Sequence, residues 1–159
     1  MARWKDVGDA APELARSVEI AFDAHLHKTI ATLRRDGSPR ISGVEATFSD
    51  GDLWLGMMPG STKARDLLHD PRLAIHSATA DSEMKNGDAK IAGRAVEIRD
   101  PETIRRLADG SDDEAGQGEP HLFRVDVTEA VLTRIGEPAD HLVIESWHEG
   151  RGLRKVKRR

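Results

Sequence analysis

The chain has 159 residues, enough for one domain with a substantial core and too few for two of ordinary size. It contains no cysteine, which excludes disulfides, thiolate catalysis and cysteine-ligated metals. A net charge of −4 argues against a general nucleic-acid-binding protein, and no apolar run approaches the length of a membrane span. Because the N-terminus also lacks an apolar signal region, we expect a cytoplasmic protein without membrane contact.

The first predicted element is an amphipathic helix in the N-terminal segment, residues 1–27. Apolar side chains recur at helical spacing between residues 12 and 26, and Pro12 suits a first helical turn. One face of this helix should cover an end of the core. On a helix, His25 and His27 would point to different faces, which argues against a metal-binding pair.

Three strands joined by tight turns are predicted next, at residues 29–33, 39–48 and 53–57. In the second strand, Gly43 indicates either a bulge or a ligand lying against bare backbone. Side chains of this strand should alternate between two faces. Arg40, Ser42, Val44, Ala46 and Phe48 fall on one face, and Ile41, Gly43, Glu45 and Thr47 on the other.

A turn and the start of a short helix follow the third strand. Pro59-Gly60 should form the turn, Ser61 the N-cap, and the helix should end near His69. Free backbone N–H groups, the positive end of the helix dipole, hydroxyl groups and cations would together suit a phosphate. The candidate anion-binding residues are Ser61, Thr62, Lys63 and Arg65. An ordinary strand–turn–helix connection with solvated basic side chains explains the same pattern.

The rest of the chain is predicted to complete a small β-barrel with peripheral helices. Further strands are expected at residues 73–78, 89–99, 123–135 and 141–147, a short helix at residues 100–107, and a weak point at Gly93. Residues 109–120 carry five acids and no bases, which favours a flexible acidic loop. Six of the nine residues 151–159 are basic, so this tail is either solvated or bound to an anion.

The familiar catalytic motifs are absent from the sequence. It contains no Gly-x-Ser-x-Gly elbow, no Walker loop, no Gly-x-Gly-x-x-Gly after a strand and no His-Glu-x-x-His. We therefore assign no catalytic residue and no metal site from motifs.

Taken together, these features resemble the flavin-binding split β-barrels related to pyridoxamine 5′-phosphate oxidase, a group that includes F420-dependent reductases. The similarity is carried by residues 30–40, 53–56, 60–67 and 70–72, and more weakly by residues 147–150 with the basic tail. It implies a mainly β, Greek-key-like split barrel of six to seven antiparallel strands with peripheral α-helices. It also implies a single domain over residues 1–159 that binds FMN or, alternatively, F420.

The resemblance further implies where a cofactor would bind. The second strand would lie along the isoalloxazine ring, the third would border the ring, and the Ser-x-Lys turn would hold the phosphate. The C-terminal tryptophan and bases would come from the other subunit of a homodimer. The implied cofactor-binding residues are Ser42, Gly43, Val44, Thr47, Gly56, Met57, Ser61, Thr62, Lys63, Arg65, Trp147, Arg154 and Arg158.

Two positions depart from the oxidase pattern. Ser42 stands where the oxidase has a phosphate-binding arginine, and Thr47 where it has a lysine that contacts the substrate. We therefore expect an oxidoreductase that transfers hydride to or from a small organic substrate, rather than a true pyridoxamine phosphate oxidase. A non-catalytic flavin- or haem-binding carrier or sensor is one alternative, and a barrel whose basic tail binds an acidic partner is another.

A homodimer is also expected on physical grounds. Trp54 and an apolar helix face are more than one small barrel has room to hide, and a ring bound on strands needs a second wall.

Overall fold

The structure is a computed structural model that describes residues 1–79, 82–107 and 118–159. The acidic loop expected at residues 109–120 therefore lies outside the described residues, apart from its last three. The elements in chain order are α1 (Trp4–Ala10), α2 (Pro12–Asp23), β1 (His27–Leu33), β2 (Pro39–Ser49), β3 (Asp52–Met57), α3 (Thr62–His69), β4 (Arg72–His76), β5 (Asp88–Ile98), α4 (Pro101–Leu107), β6 (His121–Ile135), β7 (Leu142–His148) and β8 (Gly152–Arg158). No described helix is both long and apolar enough to cross a membrane.

Six of the strands close into an antiparallel barrel. Their order is β3-β2-β1-β4-β5-β6, and pairing between β3 and β6 closes the ring. The hairpin of β7 and β8 continues the sheet outward from the far half of β6. The mainly β split barrel with peripheral helices expected from the sequence is thus confirmed.

The core fills the barrel and continues under the N-terminal helices. Buried side chains alternate along the strands, as Ile30 on β1 and Ile75 on β4 illustrate with 0% and 1% exposure. The apolar face of α2 covers one end of the barrel, where the Phe22 ring lies 5.7 Å from that of Phe48. The predicted amphipathic helix is confirmed, but it ends at Asp23 because the chain turns into β1 at His27.

The two glycines singled out within strands have different roles. At Gly93 the register between β5 and β6 shifts, and an added Cβ would lie 2.1 Å from the carbonyl oxygen of Asp126. This bulge is the weak point expected from the sequence, and a side chain does not fit there. At Gly43 the pairing with β1 is continuous and an added Cβ would meet nothing within 4 Å. The bulge interpretation of Gly43 was therefore wrong, and its exposed backbone remains.

The basic segment at residues 151–159 is not a free tail. It forms β8, which pairs with β7 from His148–Gly152 to Leu142–Arg158. As the outermost strand it has no partner on its other edge among the described residues. Charged side chains on an edge strand oppose further strand pairing, which accounts for its composition without an apolar alternation.

Candidate functional site

The start of α3 is built as a helix N-terminus with free donors. The chain leaves β3, turns at Gly60 with φ of +72°, and is capped by Ser61, whose Oγ accepts the N–H of Ala64 at 3.4 Å. The N–H groups of Thr62 and Lys63 have no acceptor in the described part of the chain. Two donors are therefore available at the positive end of the helix dipole.

Two cations flank these donors. Lys63 is half-buried and Arg65 is exposed, and neither is paired with an acid among residues 1–79, 82–107 and 118–159. The Nη2 of Arg65 lies 3.9 Å from the position of a Cβ built on Gly60, so its guanidinium reaches back over the turn. The charge at this end of α3 is therefore available to an anion.

A buried polar cluster fixes α3 on the barrel. Asp66 is only 7% exposed, and its Oδ2 accepts hydrogen bonds from Thr32 Oγ1 on β1 and Arg40 Nε on β2, both at 2.7 Å. Burial by itself would raise the pKa of Asp66, but the bonds from Arg40 and Thr32 and the arginine charge hold that pKa below its usual value. The carboxylate thus stays ionised and sets the helix relative to two strands.

Beside this helix, β2 changes partner and leaves an edge open. It pairs with β1 over residues 39–45 and with β3 over residues 46–49. The edge of β2 away from β1 therefore has no described strand partner over residues 39–45, and no hydrogen bond to the peptide groups on that edge is described from Arg40 to Glu45. Continuing the β2–β3 register places the end of β3 at Met57 level with Val44. The open edge and the start of α3 consequently lie on the same side of the barrel.

The outer surface next to this edge is lined mostly by small side chains. Pairing aligns Gly43 with Thr29, and Ile41 with Ala31 and then Ala74, on the outward side of three strands. We call these five residues the open face. Ile41, its one large side chain, is 74% exposed. Such a surface accommodates a planar ring or the face of another chain.

The residues expected to border a ring divide between two sides of the sheet. Val44 and Met57 are 4% and 5% exposed with side chains in the core, so that only their backbone faces outward. Thr47 and Gly56 are exposed on the outer side. Ser42 is half-buried on the inner side with Arg40, towards α3. This division agrees with the alternation predicted from the sequence.

The C-terminal residues expected at the site are not brought together with α3 in one chain. Trp147 is 6% exposed in the core and pairs between Ala130 and Leu153. Arg154 and Arg158 are exposed. Along β8 they point to the side opposite Leu153, the partner of Trp147, so they project from the face of the hairpin that does not carry Trp147. The hairpin follows the half of β6 farthest from the strand end that pairs with β3.

Sequence reasoning did not assign Thr32, Arg40 or Asp66 to the site. A signal was present, because Thr32 and Arg40 fall on the inward face of predicted strands, where a polar group needs a partner. The partner could not be identified, since Asp66 lies 34 and 26 residues away in sequence.

Other positions in the described chain offer less. No group of three His, Asp or Glu among the described residues is placed to hold a metal ion. An open concavity at the turn between β6 and β7 shares no residue with the site. It is lined by Glu137, Pro138, Asp140, His141, Lys157 and Arg159.

Solved structures with a similar fold are diverse. PhzG from Burkholderia lata 383, in complex with tetrahydrophenazine-1-carboxylic acid, is 12% identical, with a TM-score of 0.61 over 93% of this chain and 86% of that one. HutZ, the haem storage protein from Vibrio cholerae, is 15% identical, with a TM-score of 0.55 over 74% and 89%. An F420 reductase is 18% identical, with a TM-score of 0.51 over 66% and 88%. At these identities the likeness establishes the fold alone.

Sequence comparison gives the family. No curated protein matches the chain. Residues 21–134, which include β1 to β5, α3 and nearly all of β6, match the family model described as pyridoxamine 5′-phosphate oxidase. Since that match spans most of the chain and the fold agrees with it, the protein belongs to the pyridoxamine 5′-phosphate oxidase family of split β-barrels.

Proposed function

We propose that this protein is an oxidoreductase that binds FMN, or alternatively F420, and transfers hydride to or from a small organic substrate. The observation that carries the proposal is the open edge of β2 beside the start of α3. A flavin or deazaflavin needs both features, because its ring has hydrogen-bonding edges and its tail carries phosphate. When bound, such a ring supplies the hydride chemistry itself, which fits a site without a catalytic cluster.

In this proposal the chain binds and orients the cofactor. The N–H groups of Thr62 and Lys63, the hydroxyls of Ser61 and Thr62, and the charges of Lys63 and Arg65 hold the phosphate. The unpaired peptide groups of β2 near Ser42, Gly43 and Val44 hold one edge of the ring. Thr47, Gly56 and the Met57 backbone border the ring at the point where β2 meets β3.

We also propose that the protein is a homodimer with the cofactor in the seam. The expectation that Trp54 needs a partner surface to be hidden was wrong, because Trp54 is only 8% exposed in the single chain and its Nε1 donates to the Ser49 carbonyl at 2.9 Å. A better reason is the open face, where Ile41 stands 74% exposed among small side chains. A ring lying there would also have only one protein wall.

The dimer prediction is tested by light scattering of the purified protein at micromolar concentration. We expect the mass of two chains, and Ile41→Lys should shift the protein towards the monomer by placing a charge in the interface. Ile20→Lys is a matched control, since Ile20 is 52% exposed on α2, which covers one end of the barrel. A monomer that still binds cofactor would contradict the prediction.

In the proposed dimer, the C-terminal hairpin of one subunit contacts the site of the other subunit. Arg154 and Arg158 are exposed and lie away from α3 of their own chain, so they would contact the anionic part of the partner's cofactor or substrate. Trp147, buried on the opposite face of the hairpin, would support that wall. The contribution of the two arginines should weaken as salt rises, because exposed charges are screened.

The function is tested on the protein as purified and after incubation with FMN or F420. We expect flavin or deazaflavin absorption and a co-purifying compound of the corresponding mass. Reduction by a nicotinamide, or hydride transfer from reduced F420, should follow. If the protein binds none of FMN, riboflavin and F420, the proposal is refuted.

Lys63→Ala should weaken FMN binding by more than about 1 kcal/mol without changing the fold. A charge-assisted bond to phosphate contributes roughly 1.5–3 kcal/mol. Lys63 is half-buried and has no acidic partner among the described residues, so it adds little to folding. Fluorescence titration measures the affinity and circular dichroism the fold. Lys5→Ala is the control, because Lys5 lies on α1 at the Gly51 end of β3, opposite α3. Equal affinities of Lys63→Ala and the control would place the phosphate elsewhere.

A non-catalytic flavin- or haem-binding protein is the second candidate. The fold it shares with HutZ, a haem storage protein, supports this alternative. Haem absorption in the purified protein, or bound flavin that no hydride donor reduces, would favour it over the oxidoreductase.

A further inference from the structure

Arg40 is held by one nitrogen and keeps its two terminal nitrogens unused. Its Nε donates to the buried carboxylate of Asp66 at 2.7 Å, while Nη1 and Nη2 have no partner in the described part of the chain. Its side chain is 26% exposed. We propose that Arg40, positioned by Asp66, is a further phosphate-binding residue of the site at α3. This inference rests on the proposed function and deepens it.

Asp66 lies on the same side of α3 as the residues assigned to the phosphate. It follows Thr62 by four residues and Lys63 by three, so the three share one face of the helix. The free N–H groups of the first turn lie roughly 5 Å along the axis from Asp66, about one helical turn. A guanidinium bonded to Asp66 is therefore within one turn of the donors assigned to the phosphate.

The direction of β2 connects Arg40 with the start of α3. Arg40 and Ser42 share the inward face of β2, and the open edge of the strand begins at the same residues. Moving from Arg40 to Ser42 follows β2 towards Val44, which lies level with the end of β3 and the turn into α3. Arg40 therefore reaches Asp66 from the same stretch of β2 that leads towards the turn into α3.

The guanidinium of Arg40 can bind Asp66 and a phosphate at the same time. Its planar fork can donate from Nε to a carboxylate and from Nη1 and Nη2 to two oxygens of a phosphate at once. Thr32 Oγ1 bonds the same Oδ2 and keeps the carboxylate in place. A lysine at this position would have one nitrogen to divide between Asp66 and the ligand.

The balance of charge also favours a phosphate. Lys63, Arg65 and Arg40 bring three positive charges to this end of α3 and Asp66 brings one negative charge, while Arg34 also acts electrostatically on Asp66. This net positive charge suits a phosphate monoester, which carries about −1.5 to −2 at pH 7. Without Arg40, the site would have one charge fewer and no two-point contact.

The test compares ligands that differ only in the phosphate. The full-length protein and its variant Arg40→Gln are titrated with FMN and with riboflavin, which has the same ring and no phosphate. We expect Arg40→Gln to weaken FMN binding about tenfold or more. Riboflavin should bind both proteins within about twofold. Arg72→Gln breaks an exposed Arg–Asp pair at the other end of α3 and should leave both ligands unaffected.

The outcomes distinguish a phosphate contact of Arg40 from a purely structural role. Equal loss of FMN and riboflavin would overturn the proposal and give Arg40 a structural role only, and so would unchanged FMN binding. If the unmodified protein binds none of FMN, riboflavin and F420, the proposed function fails first. Should Arg40→Gln unfold, Arg40→Lys keeps a cation on Asp66 and should still weaken FMN severalfold against riboflavin. Full FMN affinity in Arg40→Lys would then refute the two-point contact.

Discussion

Replacing Trp147 with alanine is expected to lower the free energy of unfolding by about 3–5 kcal/mol, the usual cost of truncating a buried tryptophan. Trp147 is 6% exposed and belongs to the barrel core. It is also one of only two described residues of β7 that are buried, the other being Val143. The indole therefore anchors the C-terminal hairpin to β6. Urea unfolding of the cofactor-free protein, followed by circular dichroism, measures the loss.

Two further variants separate this structural role from contact with a ring. Trp147→Phe should lose much less stability, because most of the buried volume is kept. Leu153→Ala, opposite Trp147 on β8 but 54% exposed, should change stability little. If Trp147→Ala unfolds like the unmodified protein and loses only cofactor affinity, the tryptophan is a ring contact rather than an anchor.

Local sequence signals predicted most of the fold, because most strands carried their own pattern of apolar residues and were bounded by turn residues. Gly93 was expected as a weak point, and the register of β5 with β6 shifts there, where a side chain has no space against Asp126. β8 was missed for a physical reason. An edge strand with one half-buried apolar side chain, Val156, among charged residues has no alternation to detect. Its strand character comes from pairing with β7, which the residues 151–159 do not encode by themselves.

The candidate site divides in the same way. The turn and cap around Ser61 depend on neighbouring residues, so the helix start was predicted correctly. The cluster of Thr32, Arg40 and Asp66 depends on three elements meeting, and no pattern within any one of them names the other two. The open edge of β2 also depends on where β3 stops pairing. The sequence could indicate an anion site but not what holds it in place.

Replacing Asp66 with asparagine is expected to lower the free energy of unfolding by about 2–3 kcal/mol at pH 7. The variant keeps the shape but turns charge-assisted bonds from Arg40 and Thr32 into weaker ones, and it leaves the arginine charge half-buried without its counter-ion. The loss should be measured by urea unfolding from pH 7 down to pH 3. Cofactor-free protein is needed, so that ligand binding does not contribute.

The pH dependence gives this prediction its sign. Because the pKa of Asp66 is lowered in the folded protein, its stabilisation is complete above the unfolded pKa near 4 and is lost as pH falls through the folded value. The difference in unfolding free energy between the unmodified protein and Asp66→Asn should therefore become smaller towards pH 3. Asp70→Asn is the control: hydrogen bonds from Arg72 lower the pKa of Asp70 to about 2, yet that pair is solvent-screened and should matter less. A gap that stays constant down to pH 3 would mean that the shape of Asp66, rather than its charge, holds α3 on the barrel.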